Sequence, residues 1–180
     1  MTDRDGRKLG PGTLYAMSIN RGLCSKDSTM QTVTRPEVGT SAPDFEAPVT
    51  SGSTIHLHDY RGQKIVLFFY PQDDTPGCTI ESCGFRDVYD KVKAMGAEIL
   101  GVSVDDVDSH KRFTEKFSLP FPLVADVDKK IAKTYGVLSE KSPVARRVTF
   151  LIDQNGKVIK IFDPVKAASH PAEILEALKS

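Results

Sequence analysis

From Val38 to the C-terminus, short unbroken apolar runs alternate with stretches in which apolar residues recur every three or four positions. Ile65 to Tyr70 is a continuous apolar run of strand length, which predicts a strand buried on both faces and ended by Pro71. After a polar loop over 71–77, Phe85, Val88, Tyr89, Val92 and Met95 recur at helical spacing, and Gly96 ends the pattern as a C-cap does. The same reading gives a second strand over 99–104, a polar-faced helix over 109–117, a third strand over 121–125 and a helix over 128–135 stopped by Gly136. Runs 148–153 and 157–162 flank Asn155-Gly156 and predict a hairpin. A last helix begins near Pro171, with Ile174, Leu175 and Leu178 facing inward.

Ahead of these elements, Ala42 to Phe45 and the alternating Thr54 to His58 predict a short leading hairpin. Residues 1–38 carry scattered Arg, Lys, Gly, Ser and Thr without apolar period, which predicts a flexible extension before a domain spanning 39–180. Strands and helices in alternation, then a hairpin and a terminal helix, give an α/β protein of thioredoxin-like fold: a central mixed sheet flanked by helices, with an N-terminal β-hairpin addition. In open α/β sheets the reactive site lies beyond the carboxyl ends of the strands, where the loop from Tyr70 to Cys78 falls.

Composition narrows the chemistry. Lys plus Arg and Asp plus Glu both number 24, so no global field favours nucleic acid or an anionic membrane. No apolar stretch approaches the roughly 18 residues that cross a bilayer, and the N-terminus lacks the apolar core of a secretory signal. Asp3 and Asp5 at the very start fit poorly with a transit peptide, so a cytoplasmic protein is expected, with organelle import through the extension as the lesser alternative. Three cysteines in 180 residues are no disulfide scaffold; two closely spaced thiols suit a reducing compartment where bridges are transient and catalytic.

Cys78 opens the helix that follows the first strong strand. That position favours the thiolate through the helix dipole and the unpaired backbone N–H groups. Thr75 can aim its hydroxyl at the sulfur or at a bound oxygen, Pro71 and Pro76 stiffen the loop, and Gly77 allows close backbone approach. Cys83 lies five residues further on. In a regular helix, positions five apart have Cα atoms about 8.6 Å apart, pointing roughly 140° away from each other, whereas a disulfide needs them within about 7 Å. Pairing the two therefore demands unwinding, which Gly84 makes cheaper by about 1 kcal/mol.

Pro71, Thr75 and Cys78 at this spacing resemble the peroxiredoxin active-site pattern, and Tyr70 through Cys83 resembles its PrxQ or bacterioferritin comigratory protein branch. The resemblance extends to the C-terminus and includes Arg147-Val148-Thr149-Phe150, similar to the strand bearing that family's active-site arginine, with Arg146 the less favoured of the pair. It implies a hydroperoxide substrate, Cys78 as peroxidatic nucleophile, Cys83 as resolving thiol, no metal or organic cofactor, and recycling by thioredoxin or a similar dithiol. An intramolecular bridge between the two needs no second chain, so a monomer is expected.

Other readings stay open on the sequence. One is a dithiol oxidoreductase acting on protein disulfides, although such enzymes normally use Cys-x-x-Cys, absent here. Another is a non-catalytic binding or holdase protein. His56 and His58, on one face of the expected strand, could join Cys78 and Cys83 as four zinc ligands, but exposed histidines at a sheet edge explain the pair as well. Asp73 and Asp74 read as a solvated pair favoured near a helix N-terminus, His110 carries no motif, His170 reads as a cap position, and Cys24 as a bystander in the extension.

Overall fold

The computed structural model describes residues 35–138, 141 and 143–179. Cys24 and the expected extension up to residue 34 lie outside the described residues. Residues 35 and 36 lie against the domain: Arg35 Nη1 is 2.7 Å from Asp163 Oδ2, its guanidinium sits over the Phe150 ring, and Pro36 is buried.

The elements run β1 (Glu46–Pro48), β2 (Thr54–His56), β3 (Lys64–Phe69), α1 (Pro76–Ala94), β4 (Ala97–Ser103), α2 (Val107–Phe117), β5 (Leu123–Ala125), α3 (Lys130–Thr134), β6 (Val148–Ile152), β7 (Val158–Phe162) and α4 (His170–Leu178). β1 and β2 form an antiparallel hairpin as expected, but its first strand follows the 42–45 segment that was expected to form it. β2 ends two residues early: Leu57–Tyr60 turns into a 3-10 helix, and the Asp59 carboxylate accepts the His56 backbone N–H at 2.9 Å. A period-two pattern does not reveal that local competition.

The remaining strands form one five-stranded sheet in the order β5-β4-β3-β6-β7. β3, β4 and β5 are parallel, β6 runs antiparallel to β3, and β7 antiparallel to β6. In the β6–β7 turn, Asp153 Oδ1 accepts the N–H groups of Asn155 and Lys157, and only Gly156 has positive φ, at 79°. The hairpin is thus built on a left-handed glycine after an aspartate-centred turn, and not on a two-residue turn needing positive φ at both central positions.

Successive residues of β3 supply both cores, because side chains alternate across a strand. Ile65, Leu67 and Phe69 pack with Tyr135 near α3, Val124 of β5 and Ala47 of the hairpin. Val66, Phe68 and Tyr70 pack with Phe85 and Val92 of α1, Phe113 of α2 and Ile174 and Leu178 of α4. Each fully buried aromatic or aliphatic side chain contributes roughly 1.5–3 kcal/mol. Among the described residues, no helix is long and apolar enough to cross a membrane.

This topology positions the site. The carboxyl end of β3 points to the start of α1, and antiparallel pairing sets Val148, at the beginning of β6, opposite Phe69 at the end of β3. Arg147 therefore arrives beside the first turn of α1 from 69 residues away in sequence.

Candidate active site

The loop between β3 and α1 is fastened from below by a buried polar network. Asp73 is buried, unlike the exposed Asp74 beside it. Its carboxylate accepts the Tyr70 hydroxyl at 2.7 Å and the Ser109 hydroxyl at 2.8 Å, and lies 2.9 Å from His110 Nδ1. The other ring nitrogen of His110 faces the Val124 carbonyl at 3.1 Å. The Asp73 N–H donates to Asp105 Oδ2, which also accepts the Ser103 hydroxyl. Burial first, then Asp73, pushes the Tyr70 phenol well above its ordinary range and keeps it a donor. The reading of Asp73 as a solvated acid fails because four elements converge beneath the loop. Asp74 is the surface member, with φ of 54° and a bidentate ion pair to Lys116 at 2.8 and 2.6 Å.

Pro71 is half-buried just after β3, and Pro76 is the first residue of α1 with Thr75 as the extended N-cap. The Thr75 hydroxyl donates to the Gln72 carbonyl at 3.1 Å, not to the sulfur, and so closes the loop on itself. Cys78 falls in the first turn of α1 and is 1% exposed. Arg147 Nη2 donates to its Sγ at 3.2 Å. A guanidinium at about 4 Å supplies roughly 4 kcal/mol of gross attraction at an effective dielectric near 20, against about 0.3–1 kcal/mol from a helix terminus. Arg147 is therefore the larger source of positive potential at the sulfur, and the helix terminus the smaller. Glycine at 77 leaves room for this approach, since a Cβ there would lie 3.2 Å from Arg147 Nη2. Arg146 turns away, toward Asp163 and the Gly136 carbonyl.

The other arm of Arg147 is ion-paired with Glu81, a residue the sequence reading missed. Glu81 is fully buried one helical turn after Cys78, and its Oε1 has no hydrogen-bond partner. Burial raises its carboxyl from 4.5 to about 7, against the opposing pull of Arg147. Burial in turn disfavours charge on Arg147, but Glu81 and Cys78 outweigh it and hold the guanidinium above its ordinary value. A signal was present in the sequence: 78, 81, 85, 88 and 92 share one helical face, and an acid among core positions needs a partner.

Cys83 is half-buried further along α1, which is continuous through both cysteines, and both thiols are free. A Cβ at Gly84 would stand 2.7 Å from Pro171 Cγ, so glycine is required where α1 crosses α4. His170, expected as a cap, is instead the first residue of α4 and fully buried against Phe85 and Phe162, with Nε2 2.8 Å from Thr149 Oγ1. Burial depresses its pKa to about 4, so it is neutral at physiological pH. His56 and His58 group with Asp44, and not with the cysteines.

Two outcomes follow from this geometry. Glu81 titrates near 4.5 unfolded and about 7 folded, so its stabilising contribution is complete below about pH 4.5 and lost as pH rises to about 7. Melting temperatures of Glu81→Gln across that window should fall much less with pH than those of the parent; parallel curves would refute the assignment. With Cys78 as the peroxide-reactive thiol that the sequence resemblance implies, Asp73→Asn should slow its reaction with hydrogen peroxide by about tenfold to a hundredfold through loop misplacement, whereas Asp74→Asn, on an exposed ion pair, should stay near the parent rate. Stopped-flow traces of the two variants decide it.

The AhpC/TSA family model matches residues 38–161. Over 148 residues the chain is 42% identical to the putative peroxiredoxin bcp of Coxiella burnetii, covering 79% of this chain and 98% of that one. It is 44% identical to peroxiredoxin Bcp of Bacillus subtilis over 149 residues, 79% of this chain and 95% of the relative. The crystal structure of a cysteine-to-serine mutant of PrxQ from Xylella fastidiosa superimposes with a TM-score of 0.78 at 31% identity, covering 81% of this chain and 97% of that one. The chain belongs to the AhpC/TSA family and, within it, to the Bcp/PrxQ peroxiredoxins, which are thiol peroxidases.

Proposed function

We propose that Cys78 is the peroxidatic thiolate, that Cys83 resolves it, and that a thioredoxin-type dithiol completes the cycle. The observation that carries this reading is the contact of Arg147 with Cys78 Sγ at 3.2 Å in the first turn of α1. The thiolate attacks one oxygen of a hydroperoxide, whether hydrogen peroxide or an organic one. The O–O bond breaks, an S–O bond forms, and the leaving oxygen departs as hydroxide or alkoxide and takes up a proton. Arg147 and the amides at the start of α1 face the charge that develops on that oxygen, while Thr75 and Pro71 shape the loop around it. The Cys83 thiol then displaces water from the sulfenic acid to give an intramolecular disulfide, and an external dithiol reopens it by two exchanges. One chain holds both sulfurs, so a monomer suffices, and a reducing compartment such as the cytosol supplies the dithiol.

The second step conflicts with the helix seen here. α1 must unwind around 78–87, breaking the Gly84–Pro171 contact. Glu81 Oε1 and Ser82 Oγ, buried in that segment without partners, gain water when it opens; each such group costs about 1–3 kcal/mol while sealed. Oxidation favours opening as well, because a neutral sulfenic acid no longer holds Arg147 as a thiolate does.

In thioredoxin-coupled assays Cys78→Ser should lose all peroxide turnover, while Cys83→Ser should consume about one equivalent and stop as an oxidised thiol visible by mass spectrometry. Turnover in Cys78→Ser would overturn the assignment. Amide exchange over 78–87 should be markedly faster in the disulfide form than in the reduced form, and equal protection in both would exclude unwinding. Insulin reduction without peroxide consumption would instead indicate a protein-disulfide oxidoreductase.

A further inference from the structure

We propose that Asp44, His56 and His58 form a binding site for a divalent transition cation, of which Zn²⁺ is the type, at the end of the domain opposite the cysteines. One ligand atom from each of the three lies within 4.8 Å of the other two. Three backbone segments deliver them. Asp44 precedes β1; His56 ends β2, where it pairs in register with Glu46; and His58 stands in the 3-10 turn that follows. The Asp44 carboxylate is oriented from below, since its Oδ1 accepts the His58 backbone N–H at 3.1 Å while its Oδ2 lies 2.6 Å from His58 Nδ1. The two imidazoles lie nearly face to face, with centroids 4.9 Å apart and planes 31° from parallel.

The surroundings favour a cation. Glu46 Oε1 is 4.0 Å from His56 Nε2 and Asp59 Oδ1 is 3.6 Å from His58 Nε2, so three carboxylates stand around two imidazoles. Two imidazoles with a carboxylate are the donor set of zinc, copper and nickel sites, whereas Mg²⁺ and Ca²⁺ require oxygen ligands throughout. In a tetrahedral zinc site with bonds near 2.1 Å, donors stand about 3.4 Å apart, so the exposed side chains need only draw inward. The cation replaces the proton shared by His58 and Asp44, which leaves to solvent. Water, Glu46 or Asp59 completes the coordination. The 3-10 turn is what makes this arrangement: His58 leaves the strand path and bends over Asp44.

The site is separate from the thiol chemistry. His58 and Leu57 line a small cavity with Ile65 at the start of β3, while Cys78 follows the end of that strand, and β3 alone spans roughly 17 Å. A bound cation would staple the hairpin to the turn beside it and leave Cys78 free to react.

Calorimetric titration of tag-free protein with zinc chloride, repeated with nickel chloride, tests the proposal. One equivalent should bind saturably and reversibly with EDTA, equally well in Cys78→Ser/Cys83→Ser. His56→Ala/His58→Ala should bind at least about tenfold more weakly, a loss that even outer-shell partners can cause, while keeping its circular dichroism and peroxide turnover. Zinc should raise the melting temperature of the parent and not of the histidine variant. Absence of saturable binding, binding undiminished in the histidine variant, or binding lost in the cysteine variant would each overturn the site.

Discussion

The Arg147 guanidinium lies between the Cys78 sulfur and the Glu81 carboxylate, and most of the site exists to place it there. One cation facing two potential anions in a half-closed site cannot neutralise both. The conflict is resolved by unequal burial: Glu81 is sealed and titrates at about 7, so near neutrality its charge is partly withdrawn and the guanidinium is left increasingly to the sulfur. Gly77 removes the Cβ that would obstruct the approach, and the antiparallel register of β6 on β3 sets the height at which Arg147 enters. If β6 ran parallel, its opposite end would meet α1, and no residue type at position 147 could reach the sulfur.

A guanidinium placed this way needs a rigid frame, which the Asp73 network supplies from the other side. Tyr70, just past β3, and Ser109 and His110 of α2 converge on one buried carboxylate, and His110 ties that carboxylate to the Val124 carbonyl of β5. The loop carrying Thr75 is therefore fixed to the sheet by charge-assisted hydrogen bonds, which are roughly twice as strong as neutral ones. Its upper side carries only the exposed Asp74–Lys116 pair, of a kind usually worth about 0–1 kcal/mol. Rigidity is thus concentrated under Cys78, and the solvent side stays easy to reshape.

The sheet, the helix bearing Cys78 and the loop were legible because each is written in local periodicity: a six-residue apolar run, a three-to-four repeat, a proline and glycine boundary. The polar partners were not. Glu81, Asp73, His110 and His170 carry letters usually found at the surface, and their burial follows from contacts as far as 85 residues away, which no window of local pattern contains. Of these only Glu81 betrayed itself, by standing on the apolar face of its own helix. Arg147 could be named from its resemblance to a family strand, yet its separation from Arg146 needed the structure: in the bend that leads into β6 the two side chains diverge, one to the sulfur and the other to Asp163.

The two thiols stand in an environment that makes the helix and the disulfide mutually exclusive states of one segment. In the helical state Cys78 is sealed and gripped by Arg147, and Cys83 sits where α1 is pinned against Pro171 through Gly84. The same segment holds Glu81 Oε1 and Ser82 Oγ without partners, so it is less stable than its burial suggests. A fully satisfied, apolar first turn would hold the thiolate equally well but would oppose resolution; a looser one would free Cys83 but lose the arginine contact. In the proposed cycle the arginine grip depends on the charge of the sulfur itself, so the helix is firmest while the thiolate waits for peroxide and weakest once that charge has been spent. Oxidation then supplies both the bond to be resolved and the release that lets Cys83 reach it.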